Sequence, residues 1–165
     1  MQIPLDIEPC TRYVIRFGDC DPFGHLNNAR YLDYLVSARE DHLREFYQFD
    51  IQAFLSNGVG WVIGQHELVY LKPARYYEPV WIRTSLIGHS DHFVQVEALM
   101  LDEAKLQVKA LLWTKYYCVS TASGRKAVHP PAFMSLVEKI HNPHVDPAAG
   151  QPARVAQLLK KNVAP

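Results

Sequence analysis

The chain has 165 residues, 48% of them hydrophobic, which fits one globular domain and argues against a disordered chain. Its 17 basic and 17 acidic residues cancel, which argues against a dedicated nucleic-acid-binding protein, because such proteins usually carry a basic surplus. No stretch approaches the roughly 18 apolar residues of a membrane-spanning helix. The start, MQIPLDIEP, does not resemble a signal peptide, so we expect no membrane association.

The three cysteines indicate the redox environment. Cys10, Cys20 and Cys118 are widely spaced and form no C-x-x-C pair, so neither a zinc site nor a disulfide framework is predicted. Reduced thiols are typical of cytoplasmic proteins, and we therefore expect a cytoplasmic location.

The first predicted elements are a strand and a long helix joined by a polar corner. Residues 12–17 (RYVIRF) are mostly β-branched or aromatic and predict a strand, which the segment GDCDPFG ends. The helix begins at Asn27 or Asn28, because asparagine is a good N-cap residue. Apolar or aromatic residues then recur at helical spacing: Tyr31, Leu35, Ala38, His42 and Phe46. We expect this stripe to be buried and the charged residues to lie on the wetter side: Asp33, Arg39, Glu40, Arg44 and Glu45.

From residue 61 the periodicity becomes that of strands. Strands are predicted at 61–71, 80–88, 92–101 and 106–119, and the short joints HSD and DEAK are typical of antiparallel hairpins. A short helix follows Pro130 and Pro131, over residues 132–140.

This order of elements predicts an α+β fold, in which an antiparallel sheet of about five strands wraps around one long central helix. The other sheet face also carries large side chains, for example Leu111, Trp113 and Tyr117, which indicates a partner subunit or partial cover. We expect one domain over residues 1–140 and a tail over 141–165. The Pro- and Ala-rich tail is either weakly helical around Val155, Leu158 and Leu159 or frayed.

Two segments resemble a known family. They are GDCDPFGHLNNARYLDYLVSAR (18–39) and HELVYLKPARYYEPVWIRTSL (66–86), and the order of elements agrees over about residues 11–135. The sequence resembles the hotdog-fold thioesterases, most of all the 4-hydroxybenzoyl-CoA thioesterase-like family. The resemblance implies a hotdog fold, hydrolysis of acyl-CoA or acyl-carrier-protein thioesters, no metal or other cofactor, and a homodimer or homotetramer with the active site between subunits.

The polar corner contains the residues that such chemistry needs. Asp21 precedes Pro22, which favours an extended backbone, and the following helix start offers free N–H groups and a positive dipole end. The resemblance assigns the catalytic carboxylate to Asp21, as nucleophile or general base, and an oxyanion-binding N–H to Asn28. It also implies that His25 orients water or the thioester and that Asn27 holds a water.

Further residues are candidates for substrate binding. By resemblance, Tyr31 lines the acyl pocket, although an aromatic residue on a helix stripe is more often part of the core. The phosphates of coenzyme A need cations, and the candidates are Lys72, Arg75, Arg125 and Lys126, each of which has the simpler interpretation of a solvated surface charge.

Several alternatives stay open from the sequence. Asp-Pro is a common turn pair, asparagines are common caps, and Asp19 fits a turn or supporting role. The H-x-x-H pairs, His89 with His92 and His141 with His144, have no evident third ligand and fit exposed turns.

Two other functions compete with hydrolysis. A hotdog hydratase or dehydratase has a D-x-N-P-x-H pattern, from which Asp19-Cys20-Asp21-Pro22 departs at its third position. A non-catalytic acyl-CoA or acyl-carrier-protein binding domain does not need both Asp21 and His25. The residues from His25 to Asn28 differ from those of the aryl-CoA members, which favours an aliphatic acyl group over 4-hydroxybenzoyl.

Overall fold

A computed structural model describes residues 5–161; residues 1–4 of the predicted domain and 162–165 of the predicted tail lie outside it. Five strands form one antiparallel sheet in the order β1-β3-β4-β5-β2. Their bounds are Cys10–Val14 (β1), Val59–Tyr70 (β2), Pro79–His89 (β3), Phe93–Leu101 (β4) and Val108–Ser120 (β5). The helices are Asn28–Tyr47 (α1), Ile51–Ser56 (α2), Pro131–Ile140 (α3) and Gln151–Lys161 (α4). The predicted α+β hotdog arrangement is confirmed.

The central helix α1 has the predicted start and packs against the sheet. Asn27 is its N-cap residue, and the Asn27 side chain accepts a hydrogen bond from the Ala29 N–H. Tyr31, Leu35 and Ala38 are buried in one cluster with inward-facing residues of the sheet, which are Val80, Ile82, Ala98, Met100, Ala110 and Leu112. The residues that bind α1 to the sheet are therefore those of the predicted stripe.

Two residues of α1 differ in burial from what the helical periodicity predicts. Phe46 is 38% exposed, although Tyr47, in the same last turn of the helix, is buried. Arg39 was expected on the wetter side and is instead 5% exposed, which makes that prediction wrong. A charged residue beside the apolar stripe normally faces solvent, and here the sheet, α2 and α3 close over that side of the helix.

The ends of some elements also differ from the sequence predictions. Strand β1 ends at Val14 rather than at residue 17, because Phe17–Asp19 form a single 3-10 turn. Helix α2 was not predicted; its N-cap residue Asp50 accepts hydrogen bonds from Gln52 and Ala53. None of the helices within residues 5–161 is sufficiently long and apolar to span a membrane.

The outer face of the sheet is covered in part by the chain's own tail. Val145 and Leu158 are buried together with Leu111 and Trp113 of β5. Within residues 141–161 the tail is an ordered helix, α4, preceded by a 3-10 turn at Pro147–Ala149, and is not frayed. The apolar residues that indicated a partner subunit or partial cover are therefore covered, at least in part, from within the same chain.

Candidate active site

The polar corner folds as a small hairpin between β1 and α1. The Asp21 N–H donates to the His25 carbonyl at 2.8 Å, and the Gly24 N–H donates to the Asp21 carbonyl at 3.0 Å. Gly24 has a φ of 74°, in the left-handed region that favours glycine, so the turn requires the glycine of the motif. This geometry reverses the chain directly before the helix.

The second sequence motif holds this hairpin in place. The Leu26 N–H donates to the Ala74 carbonyl at 2.8 Å, and the Tyr76 N–H donates to the Gly24 carbonyl at 2.9 Å. His25 and Arg75 form an antiparallel bridge between the two segments. The Pro-containing corner after β2 therefore supports the polar corner, which explains why the two matching segments occur together.

One carboxylate oxygen of Asp21 is committed to the local fold. Its Oδ1 accepts hydrogen bonds from the N–H of Phe23 at 2.9 Å and from the N–H of His25 at 3.1 Å. Its Oδ2 has no hydrogen-bond partner within residues 5–161. The turn thus fixes the orientation of the carboxylate while one oxygen stays available, so a structural role and a chemical role are compatible.

The start of α1 offers an unused donor. The N–H of Asn28, the first residue of the helix, makes no hydrogen bond to any residue that the structure describes, as expected for a first helical position. The Tyr70 hydroxyl donates to the Asn28 carbonyl at 2.8 Å, and the Tyr31 hydroxyl accepts from the Ala74 N–H at 2.8 Å. The two tyrosine rings meet edge to face, with centroids 5.1 Å apart, and hold the helix start beside the Pro corner.

A cavity of about 230 Å³ brings most of the predicted residues together. It is lined by side chains from the corner, the helix start and the end of β2, among them Asp21, His25, Asn28, Tyr31, Tyr70 and Lys72. Asp21, His25 and the first residue of the helix therefore line one space. Tyr31 is only 2% exposed and also lines this cavity, so it belongs both to the core and to the candidate site.

Tyr70 is a lining residue that the sequence analysis missed. It is the last residue of β2, and the residue pattern of that strand does not distinguish it from an ordinary strand residue. Its place within the second matching segment was the available signal.

Other candidates lie outside this cavity. Asn27 is exposed and caps the helix, and Arg75 contributes its backbone, whose N–H donates to Glu78 Oε2 at 2.7 Å. Arg125 and Lys126 are exposed, and Lys126 forms a bridge to Val119 at the end of β5, which is level with the first residues of β2. Tyr70 is at the other end, about 36 Å away at ~3.3 Å per strand residue. Within one chain, these two cations are far from Asp21.

The cations near the cavity differ in how they are neutralised. Lys109 is buried and pairs with Glu78 at 2.6 Å, and it also donates to the Pro73 carbonyl at 2.9 Å. Lys72 donates only to the amide oxygen of Gln107, at 3.0 Å, and forms no ion pair within residues 5–161. Lys72 therefore keeps a positive charge at the cavity, whereas the charge of Lys109 is used in the fold.

Solved structures share this architecture. A 1,4-dihydroxy-2-naphthoyl-CoA thioesterase from Synechocystis has a TM-score of 0.73 and 16% identity, over 82% of this chain and 99% of the other. The probable thioesterase YbaW from Escherichia coli has a TM-score of 0.70 and 22% identity, over 81% and 98% of the two chains. A DHNA-CoA thioesterase from Staphylococcus aureus has a TM-score of 0.71 and 15% identity, over 96% and 97%. These similarities establish the fold.

Family membership has a separate basis in the sequence. No curated protein sequence matches the chain. The family model of the thioesterase-like superfamily matches residues 15–137, which is more than half of the chain and includes both the corner and the sheet strands β2–β5. The chain therefore belongs to the thioesterase-like superfamily.

Proposed function

We propose that this protein hydrolyses an acyl-CoA thioester to the free acid and coenzyme A, with Asp21 as the catalytic carboxylate. The observation that supports this most is the shared cavity, which Asp21, His25 and Asn28 line, while Oδ2 of Asp21 and the N–H of Asn28 have no hydrogen-bond partner within residues 5–161. Membership of the thioesterase-like superfamily is consistent with this chemistry.

The proposed reaction uses each group for one task. As general base, Asp21 removes a proton from the attacking water, the C–S bond breaks, and that proton passes to the departing thiolate, which gives the free acid and the coenzyme A thiol. As nucleophile, Asp21 attacks the thioester carbonyl, and the C–S bond breaks to leave an acyl–Asp21 anhydride and a thiolate. Water then hydrolyses the anhydride, which releases the free acid and restores Asp21, and the thiolate takes up the proton that the water loses. The carbonyl oxygen becomes negative during the attack. The Asn28 N–H and the positive end of the α1 dipole stabilise that charge, and one such donor contributes roughly 3 kcal/mol. His25 orients the water or the thioester.

We also propose that the site is completed by a second copy of the chain, in a homodimer or homotetramer. Strand β2 is at the edge of the sheet, and its residues Val62 and Ile63 are exposed. If two β2 strands pair in antiparallel orientation, the first end of one strand lies beside the last end of the other. Arg125 and Lys126 of one chain then approach the cavity of the other, where they can bind the phosphates of coenzyme A together with Lys72.

We also propose the class of acyl group and the carrier to which it is attached. The names of the solved relatives include aromatic acyl groups, 1,4-dihydroxy-2-naphthoyl and gentisyl, and also an aliphatic one, oleoyl, in a putative thioesterase from Lactobacillus plantarum. The residues after the Asp-Pro-x-Gly turn of this chain favour an aliphatic acyl group. Coenzyme A is the favoured carrier, with acyl-carrier protein as the alternative. The three cysteines are free, which fits a reducing compartment, and a cytoplasmic location therefore stays our prediction.

The first test is thiol release from acyl-CoAs of graded chain length, together with benzoyl-CoA and 1,4-dihydroxy-2-naphthoyl-CoA. We compare wild type with Asp21→Asn, whose amide oxygen can still accept the hydrogen bonds from Phe23 and His25. We expect thiol release by wild type and a loss of at least about a hundredfold in the variant, without loss of fold.

The matched control is Asp19→Asn, two residues earlier in the same corner. Asp19 accepts a hydrogen bond from the Tyr34 hydroxyl at 2.8 Å, which an amide oxygen can replace, so activity should change by only a few-fold. A wild type that binds acyl-CoA but releases no thiol would instead indicate a binding domain. Loss of the conjugated enoyl-CoA absorbance, without thiol release, would indicate a hydratase.

A further inference from the structure

A second cavity lies along the C-terminal half of α1 and is separate from the cavity that contains Asp21. Its volume is about 200 Å³, and most of its walls are apolar or aromatic side chains from α1, α3 and the sheet, such as Leu43, Trp61, Val94, Tyr116 and Phe133. Arg39 is part of the same lining, and we call this space the Arg39 cavity. A positive charge among apolar walls is costly unless a partner neutralises it.

Arg39 is a buried cation that the described part of the chain does not neutralise. Its side chain is 5% exposed, and its one hydrogen bond is from Nη1 to Thr84 Oγ1 at the limiting distance of 3.5 Å. The Tyr47 hydroxyl is a further neutral neighbour, close enough for a weak hydrogen bond that falls short of good geometry, and no carboxylate within residues 5–161 forms an ion pair with Arg39. The Tyr47 ring, 5.7 Å away, offers only a weak cation–π contact.

The neighbouring polar groups do not supply the missing charge. Burial lowers the pKa of Arg39, although a guanidinium stays protonated in proteins. His42 bonds to the same Thr84 hydroxyl, at 2.8 Å, and brings no negative charge. Glu40 lies at the rim of the cavity, is exposed and makes no ion pair with Arg39, so its carboxylate is left to solvent.

The chemistry of the site selects its ligand. The fork of N–H groups on a guanidinium matches the two oxygens of a carboxylate, and the neighbours of Arg39 within residues 5–161 are neutral hydroxyls that bond to it only weakly. An apolar cavity of this size suits a short hydrocarbon chain or a single ring, whereas a bulky polyanion would leave its other charges against apolar walls.

We propose that the Arg39 cavity binds the carboxylate of a small apolar carboxylic acid, which pairs with Arg39 and places its hydrocarbon part among the aromatic walls. The carboxylate belongs either to a free acid or to the far end of an acyl chain held at the active site. Asn28 and Arg39 are separated by about 16 Å along the helix axis, which a long acyl chain can span. The second source rests on the proposed thioesterase function, whereas the first does not.

The binding test uses octanoate as the probe and 1-octanol as its uncharged analogue, followed by calorimetry and by the shift in melting temperature. We expect wild type to bind octanoate and to bind the alcohol at least about tenfold more weakly, because the alcohol cannot pair with the guanidinium. Arg39→Met should weaken octanoate binding by a similar factor. Arg44→Met, an exposed arginine of the same helix, should bind octanoate as wild type does.

A structural role for Arg39 predicts a different result. If Arg39 mainly supports the fold, Arg39→Met should melt at a lower temperature than wild type without any ligand. We expect the opposite, a melting temperature equal to or above that of wild type, because removal of an uncompensated buried charge is neutral or favourable. Leu136→Trp, which fills the cavity and leaves Arg39 in place, provides a second variant that should lose octanoate binding.

The turnover test compares dodecanoyl-CoA with dodecanedioyl-CoA, which has a carboxylate at its far end. A preference of wild type for the diacid that Arg39→Met abolishes identifies the acyl chain as the source of the carboxylate. Octanoate binding without such a preference identifies a free acid. Failure to hydrolyse either compound, together with no thiol release from any acyl-CoA of the graded panel, contradicts the proposed function alone. Octanoate binding that is absent, equal for the alcohol, or unchanged in Arg39→Met overturns the Arg39 site.

Discussion

Arg154 of α4 and Glu97 of β4 form a buried, two-pronged ion pair on the outer face of the sheet. Arg154 Nη2 donates to Glu97 Oε1 at 2.7 Å, and Arg154 Nε donates to Glu97 Oε2 at 2.9 Å. The indole N–H of Trp113 also donates to Glu97 Oε2, at 3.0 Å. Because both charged residues are almost fully buried, α4 is held on the sheet by a specific polar contact as well as by its apolar side chains.

Loss of one partner of this ion pair should be costly. We expect Arg154→Met to lower the free energy of unfolding by about 3–5 kcal/mol, because Glu97 stays buried without its cation. The double variant with Glu97→Gln should recover most of that loss, since the amide still accepts from Trp113 and no charge remains buried. Urea denaturation measures both, and a double variant no more stable than Arg154→Met would contradict the electrostatic explanation. The exposed pair of Arg12 with Glu103 is the control, for which Arg12→Met should cost less than about 1 kcal/mol.

The packing of α4 can be tested with two adjacent leucines. Leu158 is 4% exposed within the outer-face cluster, whereas Leu159 is 44% exposed. We expect Leu158→Ala to cost about 2–4 kcal/mol, since a buried leucine leaves a cavity, and Leu159→Ala to cost clearly less. Both changes have the same effect on helix propensity, so their difference in denaturant midpoint reports packing alone. Equal midpoints would mean that α4 is not docked in solution as it is in this structure.

The elements that depend on local sequence were predictable, and those that depend on distant contacts were not. Helix α1 was predicted because a good N-cap residue and a long apolar stripe coincide. The corner around Asp21 was predicted because several spaced residues match one motif. Helix α4 was left open, because its short stripe is among prolines and alanines and its ordering depends on Glu97, which is far away in sequence.

The burial of Arg39 had no signal in the sequence. A charged residue next to Ala38 on an amphipathic helix is expected at the solvent boundary, and only the packing of α2, α3 and the sheet around it determines otherwise. The position of Arg125 and Lys126 has a similar cause. Their distance from Asp21 follows from the register of β5 with β2, because they lie at the end of β5, which is level with the start of β2 and far from Tyr70.

Protonation of His42 should destabilise the fold in mild acid. Burial, and then the positive charge of Arg39, lowers the pKa of His42 to about 4, compared with about 6.5 in an unfolded chain. Between these values the unfolded chain binds more protons than the folded one, so stability falls as the pH is lowered from about 6.5 to about 4 and this effect is absent above pH 7.

The measurement is urea denaturation of wild type and His42→Asn at pH 7 and pH 5. The ring nitrogens of His42 bond to Thr84 at 2.8 Å and Thr11 at 3.0 Å, so the substitution has its own cost at both pH values. Only the difference between the two pH values is diagnostic. We expect wild type to lose about 2 kcal/mol more than the variant between pH 7 and pH 5. The same pH dependence in both proteins would show that His42 is not the group responsible.

The edge strand β2 should be the site of self-association. Within residues 5–161 it pairs with β5 on one side only, and neither Val62 nor Ile63, both exposed near its middle, provides the charge that usually protects an edge. We expect Ile63→Lys to shift the protein from dimer towards monomer in light scattering and to reduce thiol release, because Arg125 and Lys126 no longer reach a partner's cavity.

The control is Val14→Lys on the short opposite edge β1, which should leave mass and activity unchanged. If Ile63→Lys stays dimeric and fully active, or if Val14→Lys dissociates the dimer, then the subunits meet elsewhere and the two cations do not serve the cavity of a β2-paired partner.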